Sequence, residues 1–84
     1  MRLVWTSAAQ QDMEEASAWS SRQALAVVAA MERMVEIGWS LGKPTGRAGV
    51  RYWPVPPLGV FYRVLGDRLI IVQVVDVRRL LETP

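Results

Sequence analysis

The side chains of this sequence that could do chemistry are mainly cations, because histidine and cysteine are both absent. Nine of its ten cationic residues are arginine, and the tenth is Lys43. A guanidinium is a planar fork that matches the geometry of phosphate and carboxylate groups. The candidate contact residues all lie in the second half of the chain: Lys43, Arg47, Arg51, Arg63, Arg78 and Arg79. Their types and positions predict a small basic protein that binds an anionic partner.

The missing residue types exclude several classes of site. Without histidine, the chain has no Ser–His or Cys–His nucleophile and no zinc–imidazole centre. Without cysteine, it forms no disulfide and no thiolate metal site, which fits a reducing compartment. We therefore predict a protein that uses neither a cofactor nor a metal.

Composition places the chain among small globular proteins. Its 84 residues, 51% of them apolar, predict a single domain over residues 1–84. The sequence has no apolar run of about 18 residues that could span a membrane, and its N-terminus lacks a signal-peptide pattern. We expect the protein in the cytoplasm, without membrane contact.

The overall charge is weak evidence when taken alone. The net charge is +2 and the pI is about 9.7, and an arginine-rich composition also arises from a GC-rich genome. Any one arginine could equally be an ordinary surface residue that makes a weak ion pair. For Arg78 and Arg79, which follow the most apolar segment, a functional role is favoured.

The first nineteen residues have the pattern of a strand followed by a helix. Residues 2–5 are rich in β-branched and aromatic side chains, as in a strand. Ser7 followed by Gln10 is typical of a capping box at a helix start. The apolar face of this helix then comprises Ala9, Met13, Ala16 and Trp19. The acidic residues are expected on the opposite, solvent-facing side: Asp12, Glu14 and Glu15.

A second helix and a loop follow. Ser20 and Gln23 repeat the capping-box pattern, and Gly38 is the expected end of the helix. The apolar residues between them keep helical spacing and indicate core packing rather than a ligand site: Ala24, Val27, Val28, Met31, Met34 and Val35. Residues 38–49 contain four glycines but no P-loop motif. We interpret this segment as a helix-to-strand connector.

Three β patterns complete the chain, over residues 50–55, 58–65 and 68–77. Pro54 predicts that the first of them lies near a sheet edge, and the apolar third is expected in the sheet centre. The Gly66-Asp67 turn predicts a two-residue hairpin, which places Phe61 opposite Val72.

The hairpin register makes a specific prediction about Arg63. It shares one face with Phe61, Ile70, Val72 and Val74, so its cation stands among apolar side chains. Two arrangements are consistent with this pattern. Either Arg63 is buried and pairs with Asp76 or Glu36, or the face is a cleft open to a ligand.

Together these elements predict an α+β fold. An N-terminal strand and a two-helix hairpin precede a three-stranded antiparallel meander, which forms one sheet packed on the helices. In this order the chain resembles the RelE/ParE superfamily of bacterial toxins from toxin–antitoxin systems. The segments that carry the resemblance cover nearly the whole chain: Val4-Trp5-Thr6, Leu41-Gly42-Lys43-Pro44, Gly46-Arg47, Arg51, Val60-Phe61-Tyr62-Arg63-Val64 and Arg78-Arg79.

The resemblance implies a toxin that arrests growth and is neutralised by a cognate antitoxin protein. RelE-type members cut messenger RNA on the ribosome, whereas ParE-type members poison DNA gyrase. In the RelE-like pattern an arginine stands four residues before the position of Arg63, and here that position is Gly59. The arginine that follows the last strand in that pattern is matched by Arg78. The basic residues that the pattern has on its second strand are matched only by Arg51.

The chain departs from both patterns near its C-terminus. The tyrosine or histidine that completes the RelE-like set is missing from the tail, and Asp76 stands near the place of a ParE-like histidine. Arginine stabilises phosphorane charge but stays protonated, so RNA cleavage needs other proton-transfer groups. Tyr62, Lys43 and the carboxylates are the remaining candidates.

Three functions remain open from the sequence. The leading one is a ParE-like gyrase inhibitor, in which the target is contacted by Arg47, Arg51, Arg63, Arg78 and Arg79. The second is a RelE-like ribosome-dependent endonuclease, in which Arg51, Arg63 and Arg78 stabilise the transition state while Lys43, Arg47 and Arg79 contact nucleic acid. The third is a family member that is not toxic and only binds its antitoxin. The site hypothesis requires these cations to converge on one patch of the folded molecule.

Overall fold

The computed structural model describes residues 1–37 and 42–78. Its elements follow the predicted order: β1 Arg2–Trp5, α1 Ser7–Trp19, α2 Ser21–Ile37, β2 Lys43–Pro44, β3 Val50–Val55, β4 Leu58–Leu65 and β5 Arg68–Asp76. The predicted helix end at Gly38 and the predicted contact residue Arg79 lie outside the described residues. Within the described ranges, neither helix combines the length and hydropathy that a membrane crossing requires.

The sheet has five strands in the order β1-β5-β4-β3-β2. The predicted antiparallel meander is confirmed as β3, β4 and β5. The sheet as a whole is mixed, because β1 pairs with β5 in parallel. Two residues of the predicted connector form β2, which extends the sheet beyond β3. The apolar β5 is an interior strand, although β4 occupies the middle position.

The first helix begins one residue earlier than its capping pattern predicts. Thr6, not Ser7, is the cap: its hydroxyl oxygen accepts the N–H of Ala9 at 3.2 Å and donates to the carbonyl of Ile71 at 2.8 Å. The hydrogen bond from Thr6 to Ile71 explains why Thr6 is the cap, because it also attaches the start of the helix to β5. The predicted cap at Ser20 is confirmed, with its Oγ 3.2 Å from the N of Gln23.

The core lies between the helices and one face of the sheet. It comprises Ala9, Ala16, Val27, Met31, Met34, Leu58, Val60, Tyr62, Leu69, Ile71 and Val74. Both helices therefore pack on the same side. Among the described elements none covers the other side, which we call the open face.

A β-bulge decides which side chains of β5 reach the core. Phe61 pairs with Gln73 while Tyr62 pairs with Ile71, so one extra residue is inserted in β5 and the predicted pairing of Phe61 with Val72 is wrong. The shift turns Val74 into the core, where it is 6% exposed. Asp12 accepts the N–H of Val74 at 2.9 Å, so its predicted solvent-facing position is also wrong.

Candidate functional site on the open face

Arg63 lies on the open face and is exposed to solvent. Its cross-strand neighbours are Val50 on β3 and Ile70 on β5. Neither Asp76 nor Glu36 forms an ion pair with it within the described ranges. The prediction that Arg63 is buried and pairs with one of these acids is therefore wrong. The alternative, a face open to a ligand, is nearer the structure, although the face is a surface rather than a cleft.

Lys43 and Arg47 join Arg63 on this face. Lys43 pairs with Tyr52 in the β2–β3 register, and paired residues share a face. Arg47 stands in the turn that follows β2, with its guanidinium 5.7 Å from the centroid of the Phe61 ring. Three of the six candidate cations thus converge on one surface.

Two aromatic rings lie among these cations. The rings of Tyr52 and Phe61 are 5.0 Å apart between centroids and tilted by 52°. Tyr52 is not among the site residues predicted from the sequence. The signal that could have found it is the Pro56-Pro57 pair, which forms a two-residue turn between β3 and β4 and so sets Tyr52 opposite Phe61.

The Tyr52 ring occupies the space above Gly59. A Cβ atom built on Gly59 would lie 2.7 Å from the ring carbon that bears the hydroxyl, and would also meet the hydroxyl oxygen. A side chain at position 59 is therefore incompatible with the present position of Tyr52. This is the position at which the RelE-like pattern has an arginine, so in this chain a tyrosine ring stands where that side chain would begin.

Arg51 does not reach the open face. It pairs with Tyr62, whose side chain points into the core, so Arg51 lies on the helix side of the sheet. Its Nη1 donates to the carbonyl of Gly42 at 2.9 Å. This contact fastens the segment before β2 to β3, which is a structural use of the guanidinium.

Tyr62 is part of the core rather than of an active site. Its side chain is 0% exposed, and its hydroxyl oxygen accepts the N–H of Gly42 at 2.6 Å. A phenol in this position has no access to a substrate on the open face. The proton-transfer role that the sequence left open for Tyr62 has no support in this geometry.

Arg78 lies at the far end of the sheet from Arg63. Its Nε and Nη2 donate to the two carboxylate oxygens of Asp76 at 3.1 and 2.9 Å, and its guanidinium lies 5.0 Å from the Trp19 ring centroid. The N–H of Val77 donates to the carbonyl of Pro57, which immediately precedes β4 and lies six residues, or about 20 Å of extended chain, from Arg63. Arg78 therefore does not converge with the cations of the open face.

Charge is distributed unevenly between the two layers. The helices contain five carboxylates and two arginines. The open face carries Lys43, Arg47 and Arg63, with Arg2 and Arg68 paired at its β1–β5 margin. Among the described residues the only ion pair is Arg78–Asp76, so these five cations remain available to an anionic partner.

The geometry of the open face suits anion binding better than metal or nucleophilic chemistry. Within the described ranges no cluster of three acidic, histidine or cysteine side chains is placed to hold a metal ion. The face offers exposed cations beside a pair of half-buried aromatic rings. Such a surface binds by charge and by stacking.

Comparison with solved structures identifies the architecture. A toxin from Helicobacter pylori, solved as a copper-bound mutant, matches with a TM-score of 0.74 and 13% identity over 95% of this chain and 98% of its own. The YoeB/ParE toxin from Agrobacterium tumefaciens matches with a TM-score of 0.70 and 23% identity over 88% and 95%. The chain shares the fold of these toxins. A chromosomal ParDE toxin–antitoxin system from P. aeruginosa matches with a TM-score of 0.65 and 23% identity over 90% and 95%.

The likeness to these toxins lies in the arrangement of elements rather than in the sequence. No family model matches the chain, and no curated protein matches its sequence. The structural matches span almost the full length of each partner. The resemblance inferred from the residues is thereby confirmed at the level of the fold.

Proposed function

We propose that the chain is the toxin of a type II toxin–antitoxin pair and that it acts by binding DNA gyrase rather than by cutting RNA. The proposal is supported by the fold that the chain shares with a YoeB/ParE toxin and with a protein of a ParDE toxin–antitoxin system. It is supported further by the charge of the open face, which suits a partner that carries nucleic acid.

The observation that carries this proposal is the dispersal of the expected catalytic residues. Only Arg63 of the three lies on the open face, since Arg51 is on the helix side and Arg78 is at the opposite end. RNA cleavage needs a base, an acid and a charge stabiliser within about 3 Å of the reacting atoms. A face that carries only one of the three expected catalytic arginines, in a chain without histidine, favours binding over catalysis.

One observation favours the RelE-like endonuclease as a second candidate. Tyr52 is a half-buried phenol on the same face as Arg63 and Lys43. Tyrosine is one of the side chains that can act in general acid–base catalysis, and a ribosome would supply the further groups. In that case Tyr52 would take the role that the sequence left open for Tyr62.

The proposed antitoxin has two surfaces to cover. One is a mainly apolar groove between α1 and α2, lined by Met13, Glu14, Ser17, Ser21, Ala24, Leu25 and Val28. Leu25 is 67% exposed there, as expected of a residue that awaits a partner helix. The other is the open face, whose cations attract an acidic segment. Limited proteolysis with and without the antitoxin tests this arrangement, since both surfaces should become protected.

Three assays separate the candidate functions. Expression without the antitoxin should arrest growth, and purified chain should inhibit supercoiling by gyrase in the absence of ribosomes. Primer extension on translated messages should then show no new cuts. If messenger RNA is cut at defined codons and supercoiling is unaffected, the protein is the RelE-like endonuclease and not a gyrase inhibitor. Growth without arrest would leave a protein that only binds its antitoxin.

A further inference from the structure

We propose that the open face binds single-stranded polynucleotide directly, with neither gyrase nor ribosome present. This inference rests on the proposed function and deepens it, because it names the chemistry that the basic surface recognises. It starts from the aromatic pair Tyr52 and Phe61, which the proposed gyrase contact does not require.

The rings provide a platform for bases. Tyr52 and Phe61 are both half-buried in the sheet, so each is fixed by its neighbours while part of it remains accessible. Their centroids are 5.0 Å apart and their planes are tilted by 52°, so they form one aromatic cluster across β3 and β4 in which a base can stack on either ring. Base stacking on such rings tolerates any sequence, because every base has a π-face.

The cations surround this platform. Lys43 is the cross-strand neighbour of Tyr52, and Arg63 lies two residues from Phe61 along β4, about 7 Å away on the same face. Neither forms an ion pair with a described acidic residue. A polynucleotide with one base stacked on a ring would therefore have its phosphates within reach of Lys43 and Arg63.

Arg47 is placed to close over a stacked base. It stands in a turn between Gly46 and Gly49, whose φ angles of 91° and 74° belong to the left-handed region. Its guanidinium already lies over the Phe61 ring at 5.7 Å. A small outward movement of this exposed side chain would sandwich a base between guanidinium and ring, the arrangement in which arginine binds unpaired bases.

The platform discriminates against duplex. In a double helix both faces of each base are covered by its neighbours, so a ring embedded in a flat sheet cannot stack on it. The cations alone would still attract duplex phosphates. The single-stranded form should therefore bind more tightly than the duplex of the same sequence, and the difference should depend on the rings.

Fluorescence anisotropy tests the inference with purified chain and labelled oligonucleotides of about 12 nucleotides, long enough for one small single-strand site. Single-stranded RNA, single-stranded DNA and DNA duplex of one mixed sequence are titrated separately. Phe61→Leu, which keeps apolar bulk without a ring, should weaken single-strand binding roughly 5- to 100-fold. Arg47→Gln should reduce the slope of log K against log salt by about 0.7. The matched control Arg33→Gln, on the helix side, should change neither quantity.

The outcomes decide the inference separately from the proposed function. Equal affinity for duplex and single strand, or Phe61→Leu binding like the unmodified chain, would overturn it and leave a merely electrostatic surface. Circular dichroism establishes that Phe61→Leu is folded, and Arg47→Gln gives an independent result because that residue is exposed. Tighter binding of single-stranded RNA than of single-stranded DNA, or the reverse, supports the site and shows which of the two polynucleotides it binds. Because the assay contains no gyrase, supercoiling inhibition can fail while single-strand binding succeeds, and the reverse.

Discussion

At the scale of single residues, Gly59 shows how one position changes the chemistry of a face. The absence of a side chain there lets the Tyr52 ring fold over β4 and meet Phe61. An arginine in its place would add a cation but displace the ring. The open face has therefore an aromatic surface at the place where the RelE-like pattern has a guanidinium.

The packing of Tyr52 on Gly59 predicts a coupled effect on stability. We expect Gly59→Ala to lower the free energy of unfolding by about 1–3 kcal/mol, because the new methyl group overlaps the ring. In a Tyr52→Ala background the same change should cost much less, because the ring is gone. Urea denaturation of both single variants and the double variant measures the coupling. Additive effects would show that Tyr52 does not occupy the space above Gly59.

At the scale of elements, contacts between α1 and β5 decide how the helices sit on the sheet. Thr6 binds the carbonyl of Ile71 just before the bulge, and Asp12 binds the N–H of Val74 just after it. β1 pairs with β5 only as far as Ile71, and beyond that point Asp12 supplies the acceptor for the N–H of Val74. Two side chains of one helix thus hold both ends of the irregularity in β5.

The role of Asp12 predicts a loss of stability on its removal. Asp12→Ala should lower the free energy of unfolding by about 1–3 kcal/mol, because the part-buried N–H of Val74 loses its acceptor. Glu14→Ala is the matched control on the solvent-facing side of α1, and should change stability by less than about 0.5 kcal/mol. Chemical denaturation of the two variants makes the comparison. Equal, small effects would mean that water replaces the carboxylate without cost.

The helix cap gives a second test at this scale. Thr6→Ala should destabilise the protein by about 1–2 kcal/mol, since it removes the cap and the bond to Ile71. Ser7→Ala, in the first turn and exposed, should have almost no effect. Thermal melting of both variants compares the two positions directly. A larger effect at Ser7 would restore the capping box that the sequence pattern suggested.

At the scale of the whole molecule, the two layers differ in charge as well as in structure. Carboxylates outnumber arginines on the helices, while Lys43, Arg47 and Arg63 have no described acidic partner on the open face. A negatively charged partner is therefore attracted to the open face of the sheet. Arg78 takes no part in this asymmetry, because Asp76 neutralises it.

This asymmetry predicts which arginines matter for toxicity. Arg63→Gln should raise the concentration needed to inhibit supercoiling roughly 10- to 150-fold, since a lost charge-assisted hydrogen bond costs about 1.5–3 kcal/mol. Arg33→Gln removes the same charge from the helix layer and should leave inhibition unchanged. Both variants should melt at the temperature of the unmodified chain, because both side chains are exposed. Equal loss in the two variants would place the target contact elsewhere.

The sequence by itself determined the order of the elements, the β4–β5 register next to the Gly66-Asp67 turn and the supply of cations. These features depend on local spacing and turn geometry, which a few neighbouring residues specify. Only the tertiary structure decided which face stays open, where β5 bulges and which arginines meet. Asp12 and Val74 are 62 residues apart in the chain, and Arg78 is held by Trp19 from a distant helix. Such contacts depend on how the helices pack on the sheet, and this packing cannot be predicted from a local sequence pattern.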